Sequence, residues 1–186
     1  MREGSRLLGN TRQRYGIGAR LLHWSMAVLV LGLIGLGWWM VGLSYYDPWY
    51  HDASSLHEEL GVVTWVVGLA FALGNLVNRP PDSLPMPWRE RAAAVAAHKL
   101  LYLAVIVLPI AGYLITTADG NPLDLFGLFS VPAVVEGNET VREIATAIHT
   151  YGAYGLLGLV GVHAAAALKH HFIDRDRTLI RMIRGR

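Results

Sequence analysis

Histidine is the residue type in this sequence that is best suited to chemistry. The chain of 186 residues has no cysteine and eight histidines, namely His23, His51, His57, His98, His149, His163, His170 and His171. The lack of cysteine excludes disulfides, cysteine-held iron–sulfur clusters, thiolate zinc sites and cofactors attached through C-x-x-C-H. Neutral imidazole is the commonest metal ligand in proteins. Any redox cofactor must therefore be held non-covalently.

The spacing of His149 and His163 is suited to carrying two metal centres. They are 14 residues apart, which is about 40° short of four helical turns, so both imidazoles point to one face of a helix. Their separation along the helix axis is about 21 Å. Because imidazole is a standard haem ligand, one such helix can hold two haems, one toward each end.

Four uncharged blocks provide helices of the required length. They are 23, 18, 19 and 25 residues long, at Leu21–Leu43, Leu60–Val77, Leu100–Ala118 and Ile144–Leu168. About 20 apolar residues cross the hydrocarbon core of a bilayer as a helix. We therefore predict an all-α integral membrane four-helix bundle, a single domain over residues 1–186, with helices at about 20–43, 56–78, 92–118 and 142–171.

The basic residues predict the orientation. Of the 16 Lys and Arg residues, only Arg142 falls in the first or third connection between the blocks. Cytoplasmic segments carry the excess of Lys and Arg, so both termini are predicted to be cytoplasmic in a multi-pass inner-membrane protein. The sequence pI of about 9.0 then follows from topology, and no nucleic-acid partner is needed to explain it.

This orientation pairs the histidines by depth. His57 and His149 lie toward the outer surface, and His23 and His163 lie toward the inner surface. His98, at the inner start of the third helix, is a rival ligand for the inner site, and His170 is a weaker rival. His51 and the His170–His171 pair flank the membrane and are predicted to be interfacial. Glycines on the second and fourth helices are compatible with flat macrocycles beside them.

Haem propionates require cationic or hydrogen-bonding partners. The inner candidates are Arg20, Arg79 and Lys99, and Arg142 is the only basic outer candidate. The alternative explanation for these residues is ordinary positive-inside flanking of membrane helices.

Six motifs resemble the bacterial cytochrome b561 family. They are RLLHW (20–24), LHEELG (56–61), AHKLLY (97–102), LPIAGY (108–113), GNP (120–122) and GVHAAAALKHH (161–171). The resemblance extends from about Tyr15 to Met182, and GVHAAAALKHH is its most specific motif.

The resemblance implies a four-helix cytochrome with two b-type haems. The family's ligand positions fall on His23, His57, His149 and His163, which leaves His98 a supporting, propionate or quinone-site role. A ubiquinone-type membrane quinone is the implied partner, and superoxide is one suggested outer donor. Nine acidic residues face Arg142 on the outer side. We therefore hypothesise a cationic outer partner, unless Arg142 locally overrides this field.

Three functions are compatible with the pattern. The first is transmembrane electron transfer through two bis-histidine haems, with no catalytic residue assigned and oligomers possible. The second is a cytochrome b anchor subunit of a larger dehydrogenase or hydrogenase. The third, a metal-ion or proton transporter, ranks lower because the four uncharged cores contain no Asp or Glu.

Overall fold

Four long helices dominate the protein. The structure is a computed structural model that describes residues 9–135 and 137–185. The long helices are α1 (Ile17–Met40), α2 (Tyr50–Val77), α3 (Trp88–Thr117) and α4 (Glu139–Phe172), and a short helix α5 (Thr178–Arg184) follows. A small antiparallel hairpin, β1 (Leu123–Leu125) and β2 (Phe129–Val131), lies between α3 and α4.

The long helices leave most of their apolar surface uncovered by protein. In the most apolar stretch of each helix, only 6% to 11% of the residues are buried. Large side chains such as Val28, Trp38 and Leu73 are exposed. Soluble proteins rarely expose apolar surface on this scale, whereas lipid-facing helices do. The four helices are long and apolar enough to cross a membrane, as the uncharged blocks predict.

The chain forms two compact units, and each long helix contributes one segment to each. Unit 1 comprises residues 1–27, 67–103 and 158–186, and unit 2 comprises residues 28–66 and 104–157. The five histidines considered as ligands are divided between the two units. His57 and His149 belong to unit 2, while His23, His98 and His163 belong to unit 1.

In unit 1, hydrogen bonds attach the connecting segments to the helix ends. The buried Arg181 of α5 donates from Nη1 to the carbonyl of Asp82 at 3.0 Å. The indole of Trp24 donates to the carbonyl of Met182 at 3.2 Å. Burial raises the pKa of Tyr15, opposed by the nearby Arg181, so this phenol stays neutral at physiological pH.

In unit 2, the hairpin is attached to the helices. Its turn contains Phe126 and Gly127, both with positive φ, at 54° and 65°. The Leu128 amide donates to the Leu125 carbonyl at 2.9 Å, so these two residues are the centre of a tight turn within a three-residue loop, and positive φ favours glycine. Glu59 of α2 accepts a hydrogen bond from the Phe126 amide at 2.8 Å. Tyr113 of α3 donates to the carbonyl of Pro132 at 2.5 Å. The sequence predicted a capping or interfacial segment here, without a hairpin.

Replacing Arg181 tests the attachment of α5. Arg181→Ala removes a charged donor from the Asp82 carbonyl, and such bonds contribute about 1.5–3 kcal/mol. We expect a lower thermal unfolding temperature in detergent micelles. The matched control is Arg184→Ala, because Arg184 is an exposed residue of the same helix. Equal unfolding temperatures for the two variants would contradict the assigned role.

Candidate functional site

The two histidines of unit 2 face each other. His57 of α2 and His149 of α4 have ring centroids 6.0 Å apart, with an interplanar angle of 72°. Both side chains are half-buried. The depth argument paired these two residues from the sequence, and the structure brings them together.

Two glycines let helix backbones approach these rings. A Cβ at Gly37 of α1 would lie 3.0 Å from Cε1 of His57. A Cβ at Gly112 of α3 would lie 3.2 Å from Cε1 of His149. The sequence drew attention to glycines of the second and fourth helices, and it missed these two. Alternation of Gly with large apolar residues is common in membrane helices, so spacing alone could not have distinguished them.

The His149 ring is oriented by the backbone of α3. Its Nδ1–H donates to the carbonyl of Leu108 at 2.9 Å. A histidine that ligates a metal commonly donates its other ring nitrogen to a carbonyl in this way, which fixes the tautomer and leaves Nε2 as the ligand. The Nδ1 of His57 is buried and has no hydrogen-bond partner in the described part of the chain.

Three histidines come together in unit 1. The rings of His23 and His163 are 6.2 Å apart, and those of His98 and His163 are 5.3 Å apart. His98 is exposed, and its Nδ1–H donates to the carbonyl of Ala94 at 2.7 Å. His98, the rival that the sequence left open, therefore lies beside the pair.

The histidine pairs fit a haem iron by distance. Two imidazoles on one metal, each bonded at about 2 Å with its ring centre roughly 1 Å further back, have centres about 6 Å apart. The pairs His57–His149 and His23–His163 lie at 6.0 and 6.2 Å. The unpartnered Nδ1 of His57 is a further sign that the site is built for an added group.

The four cationic candidates differ in their surroundings. Arg20 is half-buried, lies against Gly185, and has a buried Nε without a hydrogen-bond partner among the described residues. Arg79 and Lys99 are exposed. Arg142 instead forms an ion pair with Asp119, and its Nε lies 3.7 Å from a carboxylate oxygen of Glu139. Arg20 is therefore the candidate best placed to accept a propionate.

A polar network follows His163 at the end of α4. The Nδ1 of His170 is 2.7 Å from Asp176 and 3.2 Å from Asp174. Lys169 bridges Asp174 and Glu90 at 2.8 and 3.3 Å. The ligand atoms of Glu90, His170 and Asp174 lie within 4.8 Å of one another. Since Lys169 supplies the positive charge between these carboxylates, we interpret the group as an ion-pair network.

The fold and the facing imidazoles define a class, the haem-binding cytochromes of membranes. The family model described as prokaryotic cytochrome b561 matches residues 14–185. Cytochrome b561 homolog 2 of Escherichia coli (strain K12) is 43% identical over 94% of this chain and 93% of its own length. Cytochrome b561 homolog 1 of the same organism is 29% identical over 87% and 92%. A protein of Yersinia pestis named probable superoxide oxidase CybB is 30% identical over 87% and 91%.

This chain belongs to the prokaryotic cytochrome b561 family, as its motifs indicated. Together with its four membrane helices, this makes it a multi-pass protein of the bacterial inner membrane. The family binds haem b, which when bound supplies one-electron redox chemistry at its iron.

Single histidine substitutions test the ligand assignment. We expect His57→Ala and His149→Ala to lose one haem, His23→Ala and His163→Ala to lose the other, and His98→Ala to retain both. Haem per chain is measured by pyridine haemochrome assay, with redox titration showing which site is missing. Loss of a haem from His98→Ala, with His23→Ala unaffected, would make His98 the inner ligand.

Substitution of Gly37 tests the close approach of the α1 backbone to the His57 ring. In Gly37→Ala the added methyl group lies 3.0 Å from the His57 ring, so the imidazole must tilt. We expect a shifted midpoint potential or partial loss of one haem. The matched control on the same helix is Gly35→Ala, because no atom lies within 4 Å of a Cβ at Gly35. Identical haem content and potentials in both variants would exclude the role of Gly37.

Proposed function

We propose that this protein transfers electrons across the membrane through two b-type haems and exchanges them with a ubiquinone-type quinone. The observation that carries the proposal is the pair of facing imidazoles in each unit, at 6.0 Å in unit 2 and 6.2 Å in unit 1. His57 and His149 hold one haem, and His23 and His163 hold the other. Two histidine ligands for each haem would suit its iron to electron transfer rather than to binding a substrate.

The protein's own groups set the properties of each site. In unit 2, the Leu108 carbonyl fixes the tautomer of His149 and increases its strength as a ligand. In unit 1, Arg20 supplies a guanidinium whose buried Nε has no hydrogen-bond partner among the described residues, and we assign it to a propionate of the inner haem. His98 takes a supporting role beside His163, because the family's ligand position falls on His23.

Quinone chemistry also requires protons, and unit 1 offers groups that exchange them. His98 is exposed beside His163. His170 is joined to Asp174 and Asp176 at the end of the same helix. We place quinone exchange and its proton transfer in this unit. With both termini cytoplasmic, these protons come from the cytoplasm.

Superoxide is a second candidate for the outer donor. The observation that favours it is the similarity to the Yersinia pestis protein named probable superoxide oxidase. In that case superoxide would give up one electron and leave as dioxygen. The charges of unit 2 bear on this candidate and are considered below.

Proteoliposomes test transmembrane electron transfer. Vesicles that enclose ferricyanide and carry the protein are exposed to external dithionite, and ferricyanide bleaching is followed. We expect His149→Ala to slow bleaching to the rate of protein-free vesicles, because one haem is lost. His51→Ala is the control, since its exposed ring contacts only Tyr45 and Tyr50 among the described residues.

Quinone exchange is measured on the same preparations. Ubiquinol-1 added to the oxidised protein should reduce the haems, with the b-type absorption bands as the readout. Rapid dithionite transfer without any reduction by ubiquinol-1 would support electron transfer and reject the quinone assignment. A stoichiometric soluble subunit that co-purifies with the protein would favour the anchor-subunit function instead.

A further inference from the structure

Unit 2 is strongly acidic. Its described residues include eight carboxylates and a single guanidinium, that of Arg142; the carboxylates are Asp47, Asp52, Glu58, Glu59, Asp119, Asp124, Glu139 and Glu143. A surface of one charge attracts partners of opposite charge and repels those of like charge, which changes association rates by about 10- to 1000-fold. The unit therefore favours the approach of cations.

Arg142 offsets only one of these eight negative charges. Its guanidinium is paired with Asp119, and its Nε lies 3.7 Å from Glu139. The positive charge is therefore shared between two carboxylates of the same unit. The alternative in which Arg142 attracts an anion locally loses its structural basis.

An apolar, aromatic cleft in unit 2 has one of these carboxylates, Asp52, among its lining residues. Its volume is about 410 Å³, and it is lined by Leu36, Trp39, Trp49, Asp52, Ala53 and Leu56. The Trp39 and Trp49 ring centroids are 6.5 Å apart with an interplanar angle of 55°. Ala53 is almost fully buried, at 2% exposure. Asp52, which also lines the cleft, is exposed.

Indole faces next to a carboxylate favour a positively charged group. A cation over an aromatic face gains about 0.5–2 kcal/mol, most with tryptophan. The Asp52 carboxylate adds a charged partner, and both Trp39 and Trp49 are about half exposed. An anion gains neither interaction.

The cleft adjoins the histidine pair of unit 2. Leu36 precedes Gly37, whose backbone lies against the His57 ring, and Leu56 directly precedes His57 in the chain. On both helices, a residue that lines the cleft is therefore the chain neighbour of a residue at the proposed haem site. This proximity is what an entry point for electrons requires.

We propose that the Trp39–Trp49–Asp52 cleft receives a cationic side chain of the outer electron partner, and that this partner is a basic redox protein rather than superoxide. The inference rests on the proposed electron-transfer function and specifies its partner. On docking, the partner gives up one electron and the protein accepts it, with no proton or bond exchanged.

Two small oxidants of opposite charge test the field. The fully reduced protein is mixed with hexaammineruthenium(III), a cation, or with ferricyanide, an anion, at increasing salt. We expect the rate with the cation to fall about tenfold as screening increases, and the rate with the anion to rise. Use of right-side-out membrane vesicles restricts both oxidants to the outer face. Salt slopes of opposite sign to these would overturn the proposal.

Substitution of Asp52 distinguishes docking in the cleft from attraction by the acidic unit as a whole. Asp52→Asn is compared with Glu143→Gln, which removes the same charge from an exposed position of α4 outside the cleft. We expect the rate with hexaammineruthenium(III) at low salt to fall about fivefold in Asp52→Asn and much less in Glu143→Gln. Equal effects in the two variants would overturn the cleft as the docking point.

A binding measurement gives a result that does not depend on electron transfer. Oxidised methyl viologen, a flat dication, quenches tryptophan fluorescence on contact. We expect its quenching constant to fall about fivefold in Asp52→Asn, with neutral acrylamide quenching unchanged. If this is observed in a protein that transfers no electrons, the electron-transfer function fails while the cation site stands. If methyl viologen quenches both proteins equally, the cation site fails whatever the redox result.

Discussion

The separation of two facing imidazoles is the constraint on which the rest of the structure depends. Rings at 6.0 and 6.2 Å are too far apart for a direct hydrogen bond and at the distance that a shared metal requires. Holding them there requires that neighbouring helices come close to each ring without displacing it. The consequence is seen at Gly37 of α1 and Gly112 of α3, where a Cβ would lie 3.0 Å from the His57 ring and 3.2 Å from the His149 ring.

The two units differ in the sign of their charge. Among the described residues, every Lys and Arg except Arg142 belongs to unit 1, while unit 2 carries most of its charge as carboxylates. By the positive-inside rule, this excess of Lys and Arg predicts that unit 1 lies on the cytoplasmic side of the membrane. In unit 2 the single guanidinium is held by carboxylates, so the two units present different chemistry to their partners.

The sequence predicted the long helices well because lack of charge over about 20 residues is a strong physical requirement. Its bounds were less accurate where helices extend into water: α2 begins at Tyr50 rather than about residue 56, through a turn that contains His51 and Asp52. The hairpin was missed because its turn is Phe126–Gly127, without the usual Asn-Gly or Asp-Gly signal. The hydrogen bond between His149 and the Leu108 carbonyl could not be predicted either, because a backbone acceptor is present at every residue and gives no sequence signal.

The depth of His98 in the membrane, inferred from the sequence, could not decide whether it is a ligand, and the structure adds the distances between the rings. Depth placed it level with His23 and His163, and the structure places its ring nearer to His163 than the ring of His23 is, at 5.3 against 6.2 Å. Proximity alone would pair His163 with His98, whereas the separation of about 6 Å expected for two rings on one metal favours the predicted pairing of His163 with His23. His98 is instead exposed, and its Nδ1–H donates to the carbonyl of Ala94 in its own helix. Unit 1 therefore has a third imidazole beside its facing pair, whereas the remaining histidine of unit 2, His51, lies against Tyr45 and Tyr50, so the surroundings of the two pairs are not equivalent.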